Sequence, residues 1–195
     1  MKTDQRDRTE NAKDGIVYYT PFQALDETWT LFATEGGLCR IHFPHEGLES
    51  AAAWLKRHLP QAVLTEDREA FLRNGTAETL EAYFAGKPAR FEDMALDLRG
   101  TPFQQKVWRE LGRIPAGTTR TYREIAEAVG SPQAVRAVGA ANGANPLPVI
   151  FPCHRVIGAD GRLTGYRGGL RIKQALLELE GVKGLVAAGH ARFDF

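Results

Sequence analysis

Two adjacent residues in the second half of the chain, Cys153 and His154, carry side chains that together could perform nucleophilic chemistry. They lie in the stretch NPLPVIFPCHRV, residues 145–156, which contains three prolines. A cysteine attacks as its thiolate, so a nucleophilic cysteine needs a base that takes its proton directly or through one water. Adjacent side chains usually diverge, and the prolines favour the irregular turn that contact would require. The alternative is that Cys153 is a small buried apolar residue.

A catalytic imidazole also needs a carboxylate that orients it. The segment LRIKQALLELEG predicts a helix whose apolar face includes Ile172, Leu176 and Leu179, and it contributes two carboxylates, Glu178 and Glu180. On this helix Glu180 falls neither clearly on the buried face nor clearly on the exposed face. The pattern therefore leaves two interpretations open: a Cys–His–Glu relay, or a solvated helix end.

The other cysteine, Cys39, lies in an alternating apolar segment, and we expect it to pack against a sheet. Two cysteines without a C-x-x-C pair predict neither a disulfide framework nor a redox motif. The N-terminus is polar and lacks the apolar core of a secretory signal, and no apolar run approaches the roughly 20 residues that span a bilayer. We expect a cytoplasmic protein without a membrane segment.

The first half of the chain predicts a small antiparallel sheet with helices. Alternating apolar residues flank the turn EGG, which is typical of a β-hairpin, and a further alternating segment precedes it. Two later segments have apolar residues at helical spacing and end at a proline or a glycine. The expected strands are 17–22, 28–34 and 38–43, and the expected helices are 48–59 and 76–86.

The second half predicts helices with recognisable starts. Thr101 and Gln104 form one capping-box pattern, with a proline between them at the first helical position, and Thr121 and Glu124 form another. The second box begins a short helix that stops at Gly130, and Ser-Pro starts the next helix at once. Two short helices joined at a glycine are typical of a helix-turn-helix. The fold class is therefore α+β: an N-terminal α/β domain and a mostly helical C-terminal domain.

The second helix of this pair is unusually slim. Its only charged side chain is Arg136, and its small residues are Ala134, Ala137, Gly139, Ala140, Ala141 and Gly143. Small residues could serve close helix packing, or they could let the helix enter a groove of DNA. The charge distribution favours DNA: residues 1–99 carry 12 Lys+Arg against 17 Asp+Glu, a net of −5, whereas residues 100–195 carry 13 against 7, a net of +6.

These motifs resemble a known family. PCHRV, preceded by NPLPVIF and followed by GYRGG, is similar to the active-site signature of the O6-alkylguanine-DNA alkyltransferases, also called methylated-DNA–protein-cysteine methyltransferases. The resemblance extends over about 80 residues, in order and spacing, through TPFQQKVW, IPAGTTRTYREIA, AVRAVGAANGANP and LLELEG. It implies single-turnover, irreversible transfer of the O6-alkyl group of a flipped-out guanine to cysteine, with O4-alkylthymine as a further candidate lesion.

The resemblance implies a catalytic role for each matching residue. Cys153 corresponds to the alkyl acceptor, His154 to the residue that takes its proton through a water, and Glu180 to the carboxylate that completes the relay. Asn145 corresponds to the asparagine that stabilises the turn before the active-site loop. Tyr122 corresponds to the tyrosine that donates to guanine N3 and helps to rotate the nucleotide out of the duplex.

It also implies a DNA interface and a base pocket. The second helix of the pair would enter the minor groove on small residues, and an arginine would fill the space that the flipped base leaves. The implied interface residues are Arg136, Ala134, Ala137, Gly139 and Tyr122, and the implied pocket residues are Cys153, Val156, Tyr166 and Arg167. Some family members carry serine where Arg167 stands, so a side-chain hydroxyl contact to O6 is lost here and only the backbone N–H remains.

No cofactor and no metal is expected. Vertebrate members of the family hold a structural zinc in their first domain, whereas the first half of this chain has only Cys39 and the scattered histidines His42, His45 and His58. The expected partner is double-stranded DNA that contains O6-alkylguanine, bound by a monomer. The expected division is a tail over 1–14, an N-terminal domain over 15–95, an alkyltransferase and DNA-binding domain over 96–185, and a tail over 186–195.

Two other classes of function remain open from the residues alone. One is a helix-turn-helix protein that binds DNA or senses lesions without chemistry, which would leave Cys153 unexplained. The other is a thiol hydrolase built on a cysteine, a histidine and a glutamate, which would turn over repeatedly on esters or peptides. Repair by alkyl transfer predicts a stoichiometric end point instead.

Overall fold

The computed structural model describes residues 15–186. The predicted tails over 1–14 and 186–195 therefore lie outside the described residues, apart from Val186. Within 15–186 the chain combines a four-stranded sheet and its helices with a mostly helical second half. The predicted fold class is confirmed. No helix in this range is long and apolar enough to cross a membrane.

The sheet begins with three antiparallel strands, as predicted. The strands are β1 (Ile16–Ala24), β2 (Glu27–Thr34) and β3 (Gly37–His42), and the turn between the first two has positive φ at Leu25 and Asp26. A fourth strand, β4 (Val63–Glu66), which the sequence pattern did not reveal, pairs in parallel with β1 and gives the order β3-β2-β1-β4. The sheet is therefore mixed. Three of the four residues of β4 are exposed and one is half-buried, so it lacks the apolar alternation that predicts a strand.

Among the described residues, three α-helices accompany the sheet: α1 (Leu48–His58), α2 (Glu69–Arg73) and α3 (Thr76–Phe84), followed by a 3₁₀ helix over Phe91–Asp93. The first and third match the predicted helices, while α2 was not predicted. Residues of α1 pack with Val17, Phe32 and Cys39 of the sheet. Cys39 is fully buried and its thiol donates to the Phe32 carbonyl at 3.3 Å, so its predicted structural role is confirmed.

The second half contains α4 (Pro102–Leu111), α5 (Tyr122–Ala128), α6 (Val135–Gly143) and α7 (Gly169–Leu179). Both predicted capping boxes are present, at the starts of α4 and α5. The helix after Ser-Pro begins later than expected, at Val135, because residues 131–134 form a turn. The pair α5 and α6 has the predicted helix-turn-helix layout.

A short parallel pair joins this motif to the active-site segment. Strand β5 (Arg120–Thr121) pairs with β6 (Val156–Ile157), which directly follows a short 3₁₀ helix over Cys153–Arg155. The pairing places the start of α5 beside the residues that follow Cys153.

The sheet and the helical half share one large hydrophobic core. Phe22, Trp29 and Leu80 of the first half pack in the same cluster as Leu147 and Leu176 of the second. At the edge of the sheet, the backbone N–H of Ile41 donates to the carbonyl of Pro146 at 2.8 Å. The loop that leads to Cys153 is therefore supported directly by β3.

Candidate active site

The loop before Cys153 is held from within by one side chain. Asn145 is buried, its amide donates to the Phe151 carbonyl at 2.7 Å, and its Oδ1 accepts from the Leu147 backbone N–H at 3.0 Å. Val149 in this loop has φ of 76°, a conformation that costs a β-branched residue free energy and that the surrounding packing must impose. The prolines and Asn145 thus hold Cys153 on a rigid turn, which then continues as the 3₁₀ helix.

His154 and Glu180 form the predicted hydrogen bond. The imidazole is fully buried, and its Nε2 lies 2.9 Å from Glu180 Oε1. Glu180 directly follows α7, and its side chain is only 3% exposed, so the interpretation as a solvated helix end is wrong for this carboxylate. Since a carboxylate only accepts, Nε2 is assigned as the donor, which leaves Nδ1 with the lone pair of a neutral imidazole. No other group of the described residues hydrogen-bonds to that Nδ1.

Two residues that the sequence did not reveal also hold Glu180. Arg155 donates from Nε to Oε2 at 2.8 Å and from Nη2 to Oε1 at 2.7 Å, a bidentate pair. Tyr83, from α3 in the first half, donates from its hydroxyl to Oε1 at 2.6 Å. Burial alone would raise the pKa of Glu180, but the hydrogen bonds from His154, Arg155 and Tyr83 outweigh it and hold that pKa well below its usual range.

The imidazole is poised as a neutral acceptor. Burial lowers the pKa of His154 even though the hydrogen bond and the charge of Glu180 raise it, and Arg155 and Lys173 lower it further. A histidine that is neutral at pH 7 can take a proton, which a base near Cys153 must do.

The thiol of Cys153 is enclosed and protonated in this state. Cys153 is 4% exposed, and burial raises its pKa, while the nearby Asn145 amide, Arg167 guanidinium and Tyr166 hydroxyl oppose that rise. The Tyr166 hydroxyl is buried and has no hydrogen-bond partner of good geometry among the described residues. Burial raises the pKa of Tyr166, and the nearby Cys153 thiol raises it further. A thiol in this state must lose its proton before it can act as a nucleophile.

The predicted pocket residues lie around the thiol. Val156 directly follows the 3₁₀ helix, and its carbonyl accepts from the buried Lys173 Nζ at 2.6 Å. A carbonyl oxygen has two lone pairs, so this one can still accept from a base. Lys173 also donates to the Thr164 carbonyl at 2.8 Å, and burial lowers its pKa to about 8. The side chain of Arg167 contacts the Asn145 carbonyl and Glu46.

The slim helix α6 presents a small-residue face with one cation. Arg136 and Ala137 are exposed, and Ala134 and Gly139 are half-buried. On the opposite side Trp108 of α4 donates to the Ala141 carbonyl at 2.7 Å, which fixes the helix to the core. Apart from Arg136, the residues on the outward-facing side of α6 are therefore small.

Tyr122 lies at the start of α5, next to this face. It is half-buried, and a β-carbon built on Gly139 would lie 4.0 Å from its ring, so the two residues approach closely. Burial raises the pKa of its hydroxyl, which keeps the proton that a donor needs.

The structure brings most of the predicted site residues together and adds four. Cys153, His154, Asn145 and the Glu180 side chain are buried, and Tyr166 and Arg167 are half-buried beside the Cys153 thiol. Glu178, by contrast, is exposed and accepts from Gln174. The added residues are Tyr83, Arg155, Lys173 and Glu46. Arg155 lies inside the motif PCHRV, directly after His154. Its positive charge beside a histidine that needs a carboxylate partner could have indicated that Arg155 binds the same carboxylate. No sequence signal pointed to Tyr83, because it lies 97 positions before Glu180 in the chain.

No three His, Cys, Asp or Glu side chains within residues 15–186 come together as metal ligands would. The absence of a metal and of a cofactor stays a prediction.

Comparison with known proteins decides the family. Residues 102–182 match the DNA-binding domain of 6-O-methylguanine DNA methyltransferase, and residues 17–98 match the ribonuclease-like domain of the same protein. The methylated-DNA–protein-cysteine methyltransferase of Methanosarcina barkeri is 55% identical over 166 residues, which are 84% of this chain and 97% of that one. The chain belongs to the methylated-DNA–protein-cysteine methyltransferase family.

Other relatives agree with this assignment. The methyltransferase of Mycobacterium bovis is 60% identical over 116 residues, which are 60% of this chain and 68% of that one. A crystal structure of Mycobacterium tuberculosis OGT in complex with DNA superposes with a TM-score of 0.70 at 46% identity, covering 84% of this chain and 92% of that one. The methyltransferase fold thus extends over both halves of the chain.

Proposed function

We propose that this chain repairs DNA by transferring the alkyl group from O6 of guanine to Cys153, once per molecule. The observation that supports this best is the buried hydrogen bond between His154, which follows Cys153 in the chain, and Glu180. It leaves the imidazole Nδ1 without a hydrogen-bond partner among the described residues, so that this atom can accept a proton. It lies in a chain whose relatives are named for this reaction, one of them solved in complex with DNA.

The reaction starts with removal of the target nucleotide from the stack. The O6 substituent lies inside the duplex, and extruding the base costs a few kcal/mol. In the proposal α6 occupies the minor groove, and Arg136 fills the space that the base leaves, which offsets part of this cost. Phosphate contacts dominate the affinity, which makes binding dependent on salt.

Chemistry follows once the base reaches the pocket. His154 takes the proton of Cys153 directly or through one water, and Glu180 stabilises the imidazolium that forms. The thiolate attacks the alkyl carbon; the S–C bond forms as the C–O6 bond breaks. Tyr122 donates a proton to N3, which eases the departure of guanine. The carbonyls of Cys153 and Val156 accept from the exocyclic amine, and the backbone N–H of Arg167 approaches O6.

The product explains the single turnover. A thioether has no carbonyl that water could attack, so the cysteine is not regenerated. Transfer to O4-alkylthymine would follow the same steps and is part of the proposal.

Label transfer tests this function. Duplex DNA that contains one O6-methylguanine with a tritium-labelled methyl group is added in excess over the protein. The label bound to the protein is then followed over time. The proposal predicts a plateau at one methyl group per chain. Continued release of product beyond one equivalent would favour a thiol hydrolase or another turnover enzyme, and tight binding without label would favour a lesion-binding protein without chemistry.

We also propose the domain division 15–95 and 96–185, a monomer, and a cytoplasmic location. The division is supported by the two family matches, which end at residue 98 and begin at residue 102. Both cysteines are free thiols, which suits a reducing compartment. Sedimentation of the free protein and fractionation of cells that express it test the last two proposals.

A further inference from the structure

One wall around the Cys153 thiol consists of residues 166–168. This segment has no helix or strand, whereas the other nearby groups come from the loop held by Asn145 and from α7. The Tyr166 hydroxyl lies beside the thiol, and Cys153 is 4% exposed. Because only 4% of Cys153 is exposed, a guanine with an O6 substituent needs more room at the sulfur than this state provides, and a larger substituent needs more.

Arg167 ties the wall to two other parts of the molecule. Its Nη2 donates to the Asn145 carbonyl at 2.9 Å, and its Nη1 lies 3.3 Å from Glu46 Oε1. Its guanidinium also lies over the Phe43 ring, 5.1 Å from the centroid. Only 22% of the Arg167 side chain and 11% of the Glu46 side chain are exposed, so solvent screens this pair less than a surface pair.

The anchor on the sheet side is itself rigid. The second oxygen of Glu46 accepts from the Phe43 backbone N–H at 2.9 Å, and Arg40 Nη2 lies 3.7 Å from Oε1. Phe43 packs edge-on against Tyr166, with ring centroids 5.4 Å apart. A β-carbon on Gly168 would lie 2.5 Å from the Phe43 ring, so the wall and this ring are in close contact.

We propose that the Glu46–Arg167 ion pair limits the size of the O6 substituent that the pocket accepts. The inference rests on the proposed function, since it concerns the same pocket. A methyl group needs a small outward movement that leaves the pair intact. A benzyl group needs a movement that separates Arg167 from Glu46, so the pair disfavours bulky lesions selectively. Glu46 belongs to the N-terminal half and to no motif of the active-site signature.

Two duplexes of identical sequence test this limit, one with O6-methylguanine and one with O6-benzylguanine at the same position. Single-turnover rate constants are measured for both, and their ratio, benzyl over methyl, is the readout. Because the DNA is otherwise the same, contributions from binding and base flipping largely cancel in the ratio. Glu46→Gln should raise the ratio about tenfold, the factor expected for losing one charge-assisted contact of about 1.4 kcal/mol.

The matched control is Glu49→Gln, an exposed glutamate at the start of α1, which should leave the ratio at the wild-type value. Arg167→Gln removes the other partner and should shift the ratio in the same direction, which gives an answer even if the Glu46 variant does not fold. An unchanged ratio in a folded variant of either residue overturns the proposal. A wild-type protein that accepts neither alkyl group would instead contradict the proposed function.

Discussion

The helical half and the sheet half contribute to the site in different ways. Every residue that the active-site signature names lies in the region matched over 102–182, while the region matched over 17–98 contains none of them. Yet the sheet half supplies Tyr83 to the relay carboxylate and Glu46 to the pocket wall. In the proposed mechanism one half therefore carries the reacting groups, and the other holds them in place.

The two halves act as one packed body around the site. Leu147 and Val149 of the active-site loop, and Ile172 and Leu176 of α7, lie in the same hydrophobic cluster as the sheet. Rigid packing matters here because an enclosed thiol must be held within a fraction of an ångström of the attacking geometry. We therefore expect substitutions in the helical half to reduce the rate of alkyl transfer strongly. Substitutions in the sheet half should reduce it less, and each through one identifiable contact.

The largest loss is expected for Glu180→Gln. The amide keeps the shape but cannot stabilise an imidazolium, so single-turnover methyl transfer should slow about 100-fold. It also leaves the buried Arg155 without its charge partner, so the free energy of unfolding in urea should fall by about 3 kcal/mol. Glu178→Gln, two residues earlier on the exposed face of α7, should change neither quantity. Equal effects of the two substitutions would remove Glu180 from the relay.

Arg136→Ala should separate base flipping from chemistry. Transfer from duplex DNA should slow about tenfold or more, because the variant cannot fill the vacated stack. Reaction with free O6-benzylguanine, which needs no flipping, should keep the wild-type rate. Equal losses on both substrates would contradict the proposed role.

Stability should depend on pH in both halves through buried neutral histidines. Burial lowers the pKa of His154, and it lowers that of His42 to about 4, with help from Arg40. Below about pH 6.5 these two histidines bind protons in the unfolded chain but stay neutral in the folded chain. The free energy of unfolding should therefore fall from about pH 6.5 toward pH 4.

Each histidine contributes a slope of up to about 1.4 kcal/mol per pH unit in that range. His42→Gln keeps an acceptor for Arg40 and should remove one such slope while leaving the stability at pH 8 nearly unchanged. Urea unfolding at several pH values measures this. A variant with the same slope as the wild type would mean that His42 does not contribute.

The smallest effect is expected for Tyr83→Phe, which removes only the hydroxyl that donates to Glu180. Methyl transfer from duplex DNA and benzyl transfer from free O6-benzylguanine should both slow about threefold, because both reactions use the relay, and DNA affinity should not change. Tyr19→Phe is the control, since the Tyr19 hydroxyl only contacts Glu66 on the surface. If the two variants behave alike, the sheet half does not influence the relay through Tyr83.

The sequence predicted what local patterns determine. The capping boxes at Thr101 and Thr121, the hairpin around residues 35–37 and the buried Cys39 all follow from short-range spacing, and all are present. The strand β4 was missed because its side chains do not alternate. The late start of α6 reflects a turn that Ser-Pro alone did not indicate.

The residues that react in the proposed mechanism could be identified from the sequence, but the residues that support them could not. Cys153 and His154 are adjacent in a rigid turn, and Glu180 completes a motif. The contacts of Tyr83 and of Glu46 cross between the two halves, and no periodicity relates residues so far apart in the chain. Whether Glu180 is buried also depended on that packing, since the helix pattern alone allowed either outcome.

The most direct test of the central proposal is the position of the transferred group. After incubation with an equimolar duplex containing O6-methylguanine, the intact protein is weighed by mass spectrometry and its peptides are sequenced. We predict one added methylene unit per chain, located on Cys153, and none on a Cys153→Ser variant that still binds the duplex. A methyl group on any other residue, or loss of methyl from the DNA without gain by the protein, would contradict the proposed reaction.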